Sequence, residues 1–598
     1  MKKLIYSLRQ ATRNRFTNYL KIASLALGIA IGGLAIARYT FHSSFEKNLE
    51  NFDQINFLTM DWTINNDQTY SQSTYTMEPM GRTMVEQIPS VESAVAFFDN
   101  FTYTYELGEK QFDLNTLELC NETFFDVFPY PILSGDPHQI FDDQALIMVS
   151  QSTANKLSEN GDVMDLTIKI KDHLYTIKGV YEDFPSNSRF YGTEVMVHKK
   201  YDWGGWQSDA FQTFFTLNRE ISQEELDAQI KQAFAPHLEN HKSAGIQVEC
   251  HSFHIKEYAK VTEGSNLGNN IYLILGVLLI IISSFNFALM QINSLSTRAI
   301  EVAIHKVNGA KRRDLFMLVM WETLYYIIMA VLLAILVARV LKTPAEAVLG
   351  RYEEILNLRG LWSIGAALLL ITLIAGVLPA LIFIRIPALH IFSKSRLNNL
   401  WWKNGLLYIQ MFVTIIVGTM TIVIIMQFRM MTTLDLGYST DNLHITSLRD
   451  VSAEKGHLLK EKLLSTSGVV GACYTDQNIV EQLSGRTLMN QGQSEVALSC
   501  RELAADEDFF WTYQVPLIEG DSTTLHSDGR KSYMVCQEVL RKTVSTIGEY
   551  NFYSNGLEGV FGSIRGNLYL PVQPLILYPI REDCTTRILT LATSAEIA

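Results

Sequence analysis

The sequence predicts a membrane protein in which an α-helical transmembrane bundle carries two α+β extracytoplasmic domains. Three observations lead to this fold class. Apolar residues are concentrated in five blocks, basic residues fill alternate loops, and a large part of the chain occurs twice. The chain has 598 residues, of which 48% are hydrophobic, and this length is too great for one domain.

Each apolar block approaches the ~20 residues with which an α-helix crosses ~30 Å of hydrocarbon. The first block is the shortest, and Lys21 and Arg38 near its ends are expected to snorkel to the membrane surfaces. The sequence therefore predicts five transmembrane helices, TM1 to TM5, at roughly Ile22–Ala37, Ile271–Met290, Leu315–Val340, Leu361–Phe383 and Leu406–Met426.

The orientation follows from Lys and Arg, which are enriched in short cytoplasmic loops. Residues 1–21 contain six of them and no acid, residues 291–315 contain five, and residues 386–404 contain three. We expect a multi-pass inner-membrane protein with a cytoplasmic N-terminus and a periplasmic C-terminus of this chain. The formal net charge of −13 then arises outside the cytoplasmic loops, which excludes a nucleic-acid partner.

The six cysteines all fall in the two predicted extracytoplasmic regions. An oxidising compartment would permit disulfides between them. Scattered buried thiols are the alternative, and the sequence leaves both open.

A large unit of the sequence recurs. Phe124-Phe125 returns as Phe509-Phe510, and Gly135-Asp136 as Gly520-Asp521, each 385 residues later. Gly179-Val180 returns as Gly559-Val560 after 380 residues. Matches in order at nearly one offset indicate duplication, and a complete second copy would need on the order of 180 further residues.

These patterns divide the chain into five parts. They are the cytoplasmic N-terminus and TM1 (1–41), a periplasmic α+β domain (42–270), a segment with TM2 to TM4 (271–390), a cytoplasmic loop with TM5 (391–427) and an incomplete second periplasmic domain (428–598). In the first domain we expect helices at 78–90, 151–157 and 222–238, strands at 93–99 and 145–150, and a hairpin at 166–183. Ser222 and Glu225 have the spacing of a helix capping box.

The segment between TM2 and TM3 carries the sharpest motif, in the sequence TRAIEVAIHKVNGAKRRDLFMLVMWETLYY (297–326). Its apolar residues have helical spacing, and Asn308-Gly309 supplies a stop. We expect a short amphipathic helix over 297–312. It is either an interfacial helix anchored by basic residues or a docking element for a cytoplasmic partner.

This segment resembles the signature of MacB/FtsX-type ABC transporter permeases. The matching residues are Arg298, Glu301, Lys306, Gly309, Ala310 and Glu322, whereas Ala303 and His305 stand where the family usually has Gly and Arg. Residues 122–137, 149–157 and 179–190 are similar to the family's periplasmic domain. Residues 407–443 are similar to the start of the second half in its duplicated, eight-helix branch.

The resemblance implies a permease that holds no cofactor, because ATP is bound by a separate cytoplasmic ABC ATPase dimer. It implies that the coupling helix transmits force through Arg298, Glu301, His305, Lys306, Gly309, Ala310 and Lys311. The implied activity is efflux of antimicrobial peptides or macrolides, or lipoprotein translocation, coupled to periplasmic movement. A periplasmic adaptor, an outer-membrane duct, membrane lipids and a homodimer are the further partners that it allows.

Glu322 lies inside predicted TM3, where an ionisable side chain is a functional candidate. The alternative is a structural role near the cytoplasmic face, with Lys311 or Arg312 as its partner. The sequence has no Gly-x-x-x-x-Gly-Lys loop and no catalytic or metal-ligand motif, so we predict no enzyme activity. A regulator of cell-wall hydrolases and a membrane-anchored receptor are the competing functions.

Overall fold

The computed structural model describes most of the chain and divides it into two compact units. The described residues are 15–64, 67–108, 110–141, 145–158, 160–170, 173–198, 205–243, 245–262, 267–297, 304, 309–385, 401–448, 453–480, 483–490, 496–525, 532–543, 550–552, 555–566, 572–580 and 587–594. The first unit, called the membrane unit, comprises Met1–Asn48, Ser186–Arg189 and Glu263–Gln427. The second, called the extracytoplasmic unit, comprises Leu49–Pro185, Phe190–Thr262 and Phe428–Ala598.

Within the described residues, five helices are long and apolar enough to cross a membrane, at Phe16–His42, Asn270–Ser294, Arg312–Val340, Leu358–Leu381 and Thr414–Thr432. Each overlaps one of the five predicted blocks. TM1 and TM4 each contain a π-helical turn. The helices span Arg15–Leu27, Gly28–Gly32 (π) and Gly33–His42 for TM1, Leu267–Thr297 for TM2, Arg312–Val340 for TM3, Leu358–Ile371, Thr372–Val377 (π) and Leu378–Arg385 for TM4, and Trp401–Thr432 for TM5.

TM1 is the most enclosed of these helices. In an apolar stretch of 18 residues of TM1, 61% of the residues are buried by the protein. In the corresponding described stretch of TM5, none is buried. The core of the unit joins Leu25 of TM1, Phe287 of TM2, Tyr326 of TM3 and Ile371 of TM4. Two short helices, Lys342–Leu349 and Tyr352–Ile355, connect TM3 to TM4.

The first part of the extracytoplasmic unit is built on a mixed sheet. Its strand order is β11-β1-β10-β3-β4-β9-β6-β8-β5, with β2 paired to β1 and β7 paired to β3 and β8. The strands are β1 Ile55–Ile64, β2 Asp67–Ser73, β3 Val91–Leu107, β4 Lys110–Cys120, β5 Ile132–Ser134, β6 Leu146–Ser150, β7 Thr167–Ile170, β8 His173–Tyr181, β9 Val195–His198, β10 Gln212–Leu217 and β11 Ile246–His254.

The helices of this region follow the sequence patterns closely. The helix predicted at 151–157 is observed as Gln151–Leu157, and the predicted hairpin is the antiparallel pair β7 and β8. Ser222 Oγ accepts a hydrogen bond from the backbone N–H of Glu225 at 3.3 Å, as the capping pattern predicts. The helices are Pro79–Gln87, Phe124–Val127, Pro137–Ile140, Gln151–Leu157, Gln223–Ser243 and Tyr258–Thr262.

The second part of the unit contains a similar mixed sheet, in the order β12-β21-β13-β15-β14-β18-β19-β17-β20, with β16 on β19 and a parallel pairing of β15 with β20. Its strands are β12 Leu443–Leu448, β13 Val469–Thr475, β14 Gly485–Asn490, β15 Val496–Ala505, β16 Leu517–Glu519, β17 Ser532–Cys536, β18 Tyr550–Phe552, β19 Asn555–Phe561, β20 Leu575–Pro579 and β21 Arg587–Thr593. Its helices are Ala453–Leu464, Phe509–Tyr513 and Gln537–Thr543.

The repeated phenylalanine pairs belong to the cores of these two sheets. Phe124 and Phe509 are fully buried, and each packs edge-on against the following phenylalanine, at ring distances of 5.2 and 5.6 Å. Each pair therefore contributes to the hydrophobic core of its own domain.

Among the described residues, Cys250, Cys473, Cys500 and Cys536 are free thiols, while Cys584 lies outside the described residues. Burial raises the pKa values of the Cys473 and Cys500 thiols far above the usual pKa of a cysteine. Of the two interpretations that the sequence left open, Cys473, Cys500 and Cys536 follow that of buried thiols.

Candidate functional site

The predicted coupling segment ends in a tight turn before TM3. Gly309 has φ +86°, a left-handed conformation that glycine adopts at the end of a helix. The structure therefore corrects the predicted helix end at 312, because Gly309, Ala310 and Lys311 are not helical and TM3 begins at Arg312. The predicted residues Arg298, Glu301, His305 and Lys306 lie outside the described residues.

The start of TM3 is capped by its own third residue. The backbone N–H of Lys311 donates to Asp314 Oδ2 at 3.2 Å, and the N–H of Asp314 donates to the Lys311 carbonyl at 2.9 Å. A carboxylate in the first turn also interacts favourably with the helix dipole. The side chains of Lys311, Arg312 and Arg313 are exposed, so this end of TM3 presents a basic surface.

Glu322 is buried, with 4% of its surface exposed. Lys311 and Arg312, the partners that the sequence suggests for it, are exposed. Glu322 lies one turn before Tyr326, which is also buried and belongs to a polar cluster that joins three membrane helices.

That cluster is centred on Lys21, which is 0% exposed. Its Nζ donates to Gln291 Oε1 at 2.7 Å and lies 4.9 Å from the centre of the Tyr326 ring. Tyr326 in turn donates its hydroxyl to Asn18 Oδ1 at 2.8 Å. The expectation that Lys21 snorkels to the surface is therefore wrong, because TM2 and TM3 enclose the ammonium and supply its partners.

A signal for this cluster exists in the sequence. Asn18, Lys21 and Ser24 follow each other at intervals of three and so share one face of TM1. Ser24 Oγ accepts a hydrogen bond from Asn286 of TM2 at 3.1 Å. This polar face of TM1 is thus matched by polar residues on TM2.

Further along TM1, the backbones of TM1 and TM2 come close together at glycine residues. A Cβ atom on Gly32 would lie 2.8 Å from the carbonyl oxygen of Gly276, and a Cβ on Gly276 would lie 2.8 Å from that of Gly32. Gly28, four residues before Gly32, packs against the side chain of Ser283. Small residues at this spacing let membrane helices pack backbone to backbone. TM1 is therefore held to TM2 by close packing and hydrogen bonds, and to TM3 by the hydrogen bond between Tyr326 and Asn18.

No group of three or more potential metal ligands occurs among the residues that the structure describes. The contacts described at the membrane helices are helix-to-helix hydrogen bonds, close glycine packing and the capped start of TM3.

Two family models match the chain, and together they cover more than half of it. A MacB-like periplasmic core domain matches residues 22–233, which include TM1 and strands β1 to β10. An FtsX-like permease C-terminal domain matches residues 273–396, which include TM2, the segment before Gly309, TM3 and TM4. The chain belongs to the MacB/FtsX-type ABC transporter permeases.

Three solved structures similar to this permease are a domain of a permease protein, a periplasmic region and an extracellular domain. A domain of a permease protein from Porphyromonas gingivalis is 21% identical and covers 35% of this chain and 92% of its own, with a TM-score of 0.32. The periplasmic region of MacB from Actinobacillus actinomycetemcomitans is 10% identical (36% and 95% covered, TM-score 0.26). The extracellular domain of the ABC-type transporter YknZ from Gram-positive bacteria is 15% identical (32% and 98% covered, TM-score 0.23). No curated protein matches the chain.

Membership of this permease family makes the chain a multi-pass membrane protein with extracytoplasmic domains. The two domain families are transmembrane components rather than typical enzymes, and such permeases generally work with a cytoplasmic ATPase.

Proposed function

We propose that this chain is the permease subunit of an ABC transporter whose separate ATPase drives conformational change in the extracytoplasmic domains. The observation that carries the proposal is the FtsX-like match over TM2 to TM4. It includes the segment with Arg298, Glu301 and Lys306, in which the sequence carries the family signature.

The described contacts support a route for movement. A push on the segment before Gly309 reaches TM3 through the turn that Asp314 caps. TM3 is bonded to TM1 through Tyr326 and Asn18, and TM1 is bonded to TM2 through Lys21 and Gln291. TM1 leads directly into the first extracytoplasmic domain. A displacement of TM3 would therefore move TM1 and, through TM1, this domain.

The chain itself would bind no cofactor, because ATP would be held by the partner ATPase dimer. The alternating basic loops support a cytoplasmic N-terminus and place the segment before Gly309 on the same side as that ATPase. Its exposed cations, Lys311, Arg312 and Arg313, would face the ATPase or the anionic lipid headgroups.

Internal duplication is part of the proposal. Strand β5 joins β8 through the pairs Ile132 with Tyr181 and Ser134 with Val180, with a register shift between them. Strand β16 joins β19 through Leu517 with Phe561 and Glu519 with Val560, with the same shift. This agreement supports a second permease half that begins at TM5. A homodimer is the other arrangement that would supply two halves.

For the transported substrate we propose the classes that the resemblance implies, antimicrobial peptides or macrolides for efflux, or lipoproteins for translocation. A periplasmic adaptor and an outer-membrane duct would accompany efflux. Control of cell-wall hydrolases is the alternative function. It would use the same transmission of movement to the extracytoplasmic domains, without transport of a substrate.

Affinity purification of the tagged full chain from native membranes tests the ATPase partnership. We expect a P-loop ABC ATPase in the eluate, and we expect Glu301→Lys and Lys306→Glu to reduce its recovery at least tenfold. Arg351→Glu, which reverses an exposed charge between TM3 and TM4, is the matched control and should retain the ATPase.

Equal recovery of the ATPase with all variants would contradict docking through this segment. Purification of intact, folded chain without any ATPase would contradict the permease proposal and favour the receptor interpretation. Drug or peptide sensitivity of a deletion strain would support export, whereas chained cells would support hydrolase control.

A further inference from the structure

A four-residue segment of the first extracytoplasmic region belongs to the membrane unit. Ser186–Arg189 is grouped with TM1 to TM4, although Pro185 before it and Phe190 after it belong to the extracytoplasmic unit. The segment follows β8 and precedes β9. Its hydrogen bonds within the membrane unit show what holds it there.

Asn187 binds the residues that follow TM1 through both its backbone and its side chain. Its Nδ2 donates to the carbonyl of Ser44 at 2.7 Å, and its own carbonyl accepts from the N–H of Glu46 at 3.1 Å. Asn187 is 6% exposed and Ser44 is 4% exposed, so both bonds are shielded from water. Shielded hydrogen bonds of this kind are costly to break without replacement.

Glu46 makes the contact specific. Its side-chain atom Oε1 accepts from Ser188 Oγ at 2.9 Å and from the backbone N–H of Arg189 at 2.7 Å, and the residue is only 2% exposed. A buried carboxylate requires such donors, and hydrogen bonds to a charged acceptor are the stronger kind. Ser186–Arg189 therefore depends on the Glu46 carboxylate.

The backbone of Glu46 is strained, with φ +53°. This left-handed conformation is unfavourable for a glutamate, and strained residues persist where surrounding contacts hold them. Here the backbone N–H and the carboxylate of Glu46 both bind Ser186–Arg189. In this conformation both the side chain and the backbone N–H of Glu46 point toward Ser186–Arg189.

The residues after TM1 are themselves fixed to membrane helices. The N–H of Ser43 donates to the carbonyl of Tyr39 at 2.9 Å, and Ser44 Oγ donates to that of Phe41 at 2.7 Å, so the turn continues from TM1 without a flexible joint. Arg359, in the first turn of TM4, donates to Asn48 Oδ1 at 2.9 Å. The ends of TM1 and TM4 therefore move together with Ser43–Asn48.

We propose that Glu46 and Asn187 form a latch through which TM1 moves the first extracytoplasmic domain. The chain enters that domain at Leu49, and the latch adds a second attachment through Ser186–Arg189, which continues into β9. Two attachments at different points of the chain resist relative rotation, so a rotation of TM1 would be passed on to the domain. The inference rests on the proposed function, because it needs an ATPase that moves TM1, and it makes Glu46 a positioning residue.

Hydrogen exchange of the full chain bound to its ATPase, with and without ATP, tests the latch. In wild type we expect ATP to change exchange both at 309–314 and in strands β8 and β9. Glu46→Ala should accelerate exchange of the Arg189 amide about tenfold, as expected for the loss of one hydrogen bond. It should also abolish the ATP-dependent change in β8 and β9 while the change at 309–314 persists.

Glu46→Gln is the conservative variant, because its amide oxygen can still accept both hydrogen bonds, and it should restore the ATP-dependent change in β8 and β9. Glu50→Ala, which removes an exposed carboxylate four residues later, is the matched control and should behave as wild type.

The outcomes separate the latch from the function on which it rests. Loss of ATPase binding or of any ATP effect in wild type would refute the proposed function. An ATP effect in β8 and β9 that survives Glu46→Ala undiminished would overturn the latch alone. Unfolding of Glu46→Ala would leave Glu46→Gln and Asn187→Ala to decide. Asn187→Ala removes the side-chain bonds to Ser44 and Asn48 but keeps the backbone bond to Glu46, and it must also weaken the effect.

Discussion

Met148 lies directly opposite Gly179 across the parallel strands β6 and β8, just after a shift in their register. Met534 lies opposite Gly559 across β17 and β19, after a shift at the corresponding position. In each domain the methionine side chain occupies the space that a side chain on the glycine would take. A local irregularity repeated in sequence and register is the strongest structural support for the proposed duplication.

Alanine at these two glycines should destabilise its domain. A Cβ on Gly179 would lie 2.8 Å from both Met148 Cε and Ile140 Cδ1, which are flexible ends of side chains. On Gly559 it would collide with Met534 Cε and lie 2.8 Å from the rigid carbonyl of Glu519. We expect losses of about 1–3 kcal/mol in unfolding free energy, with Gly559→Ala the more severe.

Thermal unfolding of the full chain measures this effect. Gly456→Ala is the matched control, because its Cβ would meet Tyr474 atoms at an ordinary 3.8 Å and alanine favours the helix Ala453–Leu464. That variant should gain roughly 0.5–1 kcal/mol. Equal melting temperatures for all three variants would contradict the packing described.

Leucine at Gly32 should separate TM1 from TM2. The Gly276 carbonyl oxygen lies 2.8 Å from the Cβ position of Gly32, so the larger side chain forces the two backbones apart. Gly418 of TM5 stands 386 residues later in the sequence, and nothing within 4 Å faces its Cβ position among the described residues. We expect Gly32→Leu to lower the melting temperature in a fixed detergent and Gly418→Leu to leave it unchanged.

Similar losses from Gly32→Leu and Gly418→Leu would mean that TM5 is also packed through its glycine against another helix. That outcome would contradict a TM5 surface that faces lipid. It would favour a further helix, or a second copy of the chain, packed against TM5.

Methionine at Lys21 should weaken the association of TM1 with TM2 and TM3. The substitution keeps an unbranched apolar stem but leaves Gln291 Oε1 without its donor and removes the cation from the Tyr326 ring. We expect a loss of about 1–3 kcal/mol, seen as a lower melting temperature in detergent. Lys47→Met removes an exposed lysine and should have no such effect. Equal stability of Lys21→Met and wild type would contradict a stabilising role for these contacts of Lys21.

The second extracytoplasmic domain should lose stability at high pH through Lys460. Its Nζ lies 2.7 Å from Asp506 Oδ2 and 2.5 Å from Asp508 Oδ2. Burial lowers the pKa of Lys460, but the two carboxylates raise it by more, and the net shift is upward from 10.5. A raised lysine pKa contributes stability that is complete below the unfolded value and is lost as the pH rises through the folded one.

Melting temperatures between pH 8 and pH 12 check this prediction, where the range is set roughly by the lysine reference value. Wild type should lose stability above its unfolded lysine value more steeply than Lys460→Met, which lacks the titrating group. Lys462→Met removes an exposed lysine on the same helix and should follow wild type. Parallel curves for wild type and Lys460→Met would show that the ion pair adds no pH-dependent stability.

The sequence predicted the local elements well and the long-range contacts poorly. The bounds of Gln151–Leu157 and the cap at Ser222 follow from residues a few positions apart. Apolar length likewise places the membrane helices. The burial of Lys21 depends on Gln291, 270 residues away, and the latch joins Glu46 to residues 143 positions later, so no local pattern reveals either.

The coupling segment shows the same limit. Asn308-Gly309 indicates a stop, whereas the predicted helix end at 312 is wrong, since residues 309–311 are not helical and TM3 begins at Arg312. Gly309, with its positive φ, lies in the turn that precedes TM3. Docking by Arg298, Glu301, His305 and Lys306 stays a prediction.

Hydrogen exchange of the wild-type chain, purified with its ATPase and compared with and without ATP, tests the central claim most directly. If the chain transmits ATP-driven movement, exchange should change at the turn 309–314 and in the extracytoplasmic strands β8 and β9. Changes confined to the ATPase and the cytoplasmic turn, with unaltered exchange throughout the extracytoplasmic unit, would contradict the account.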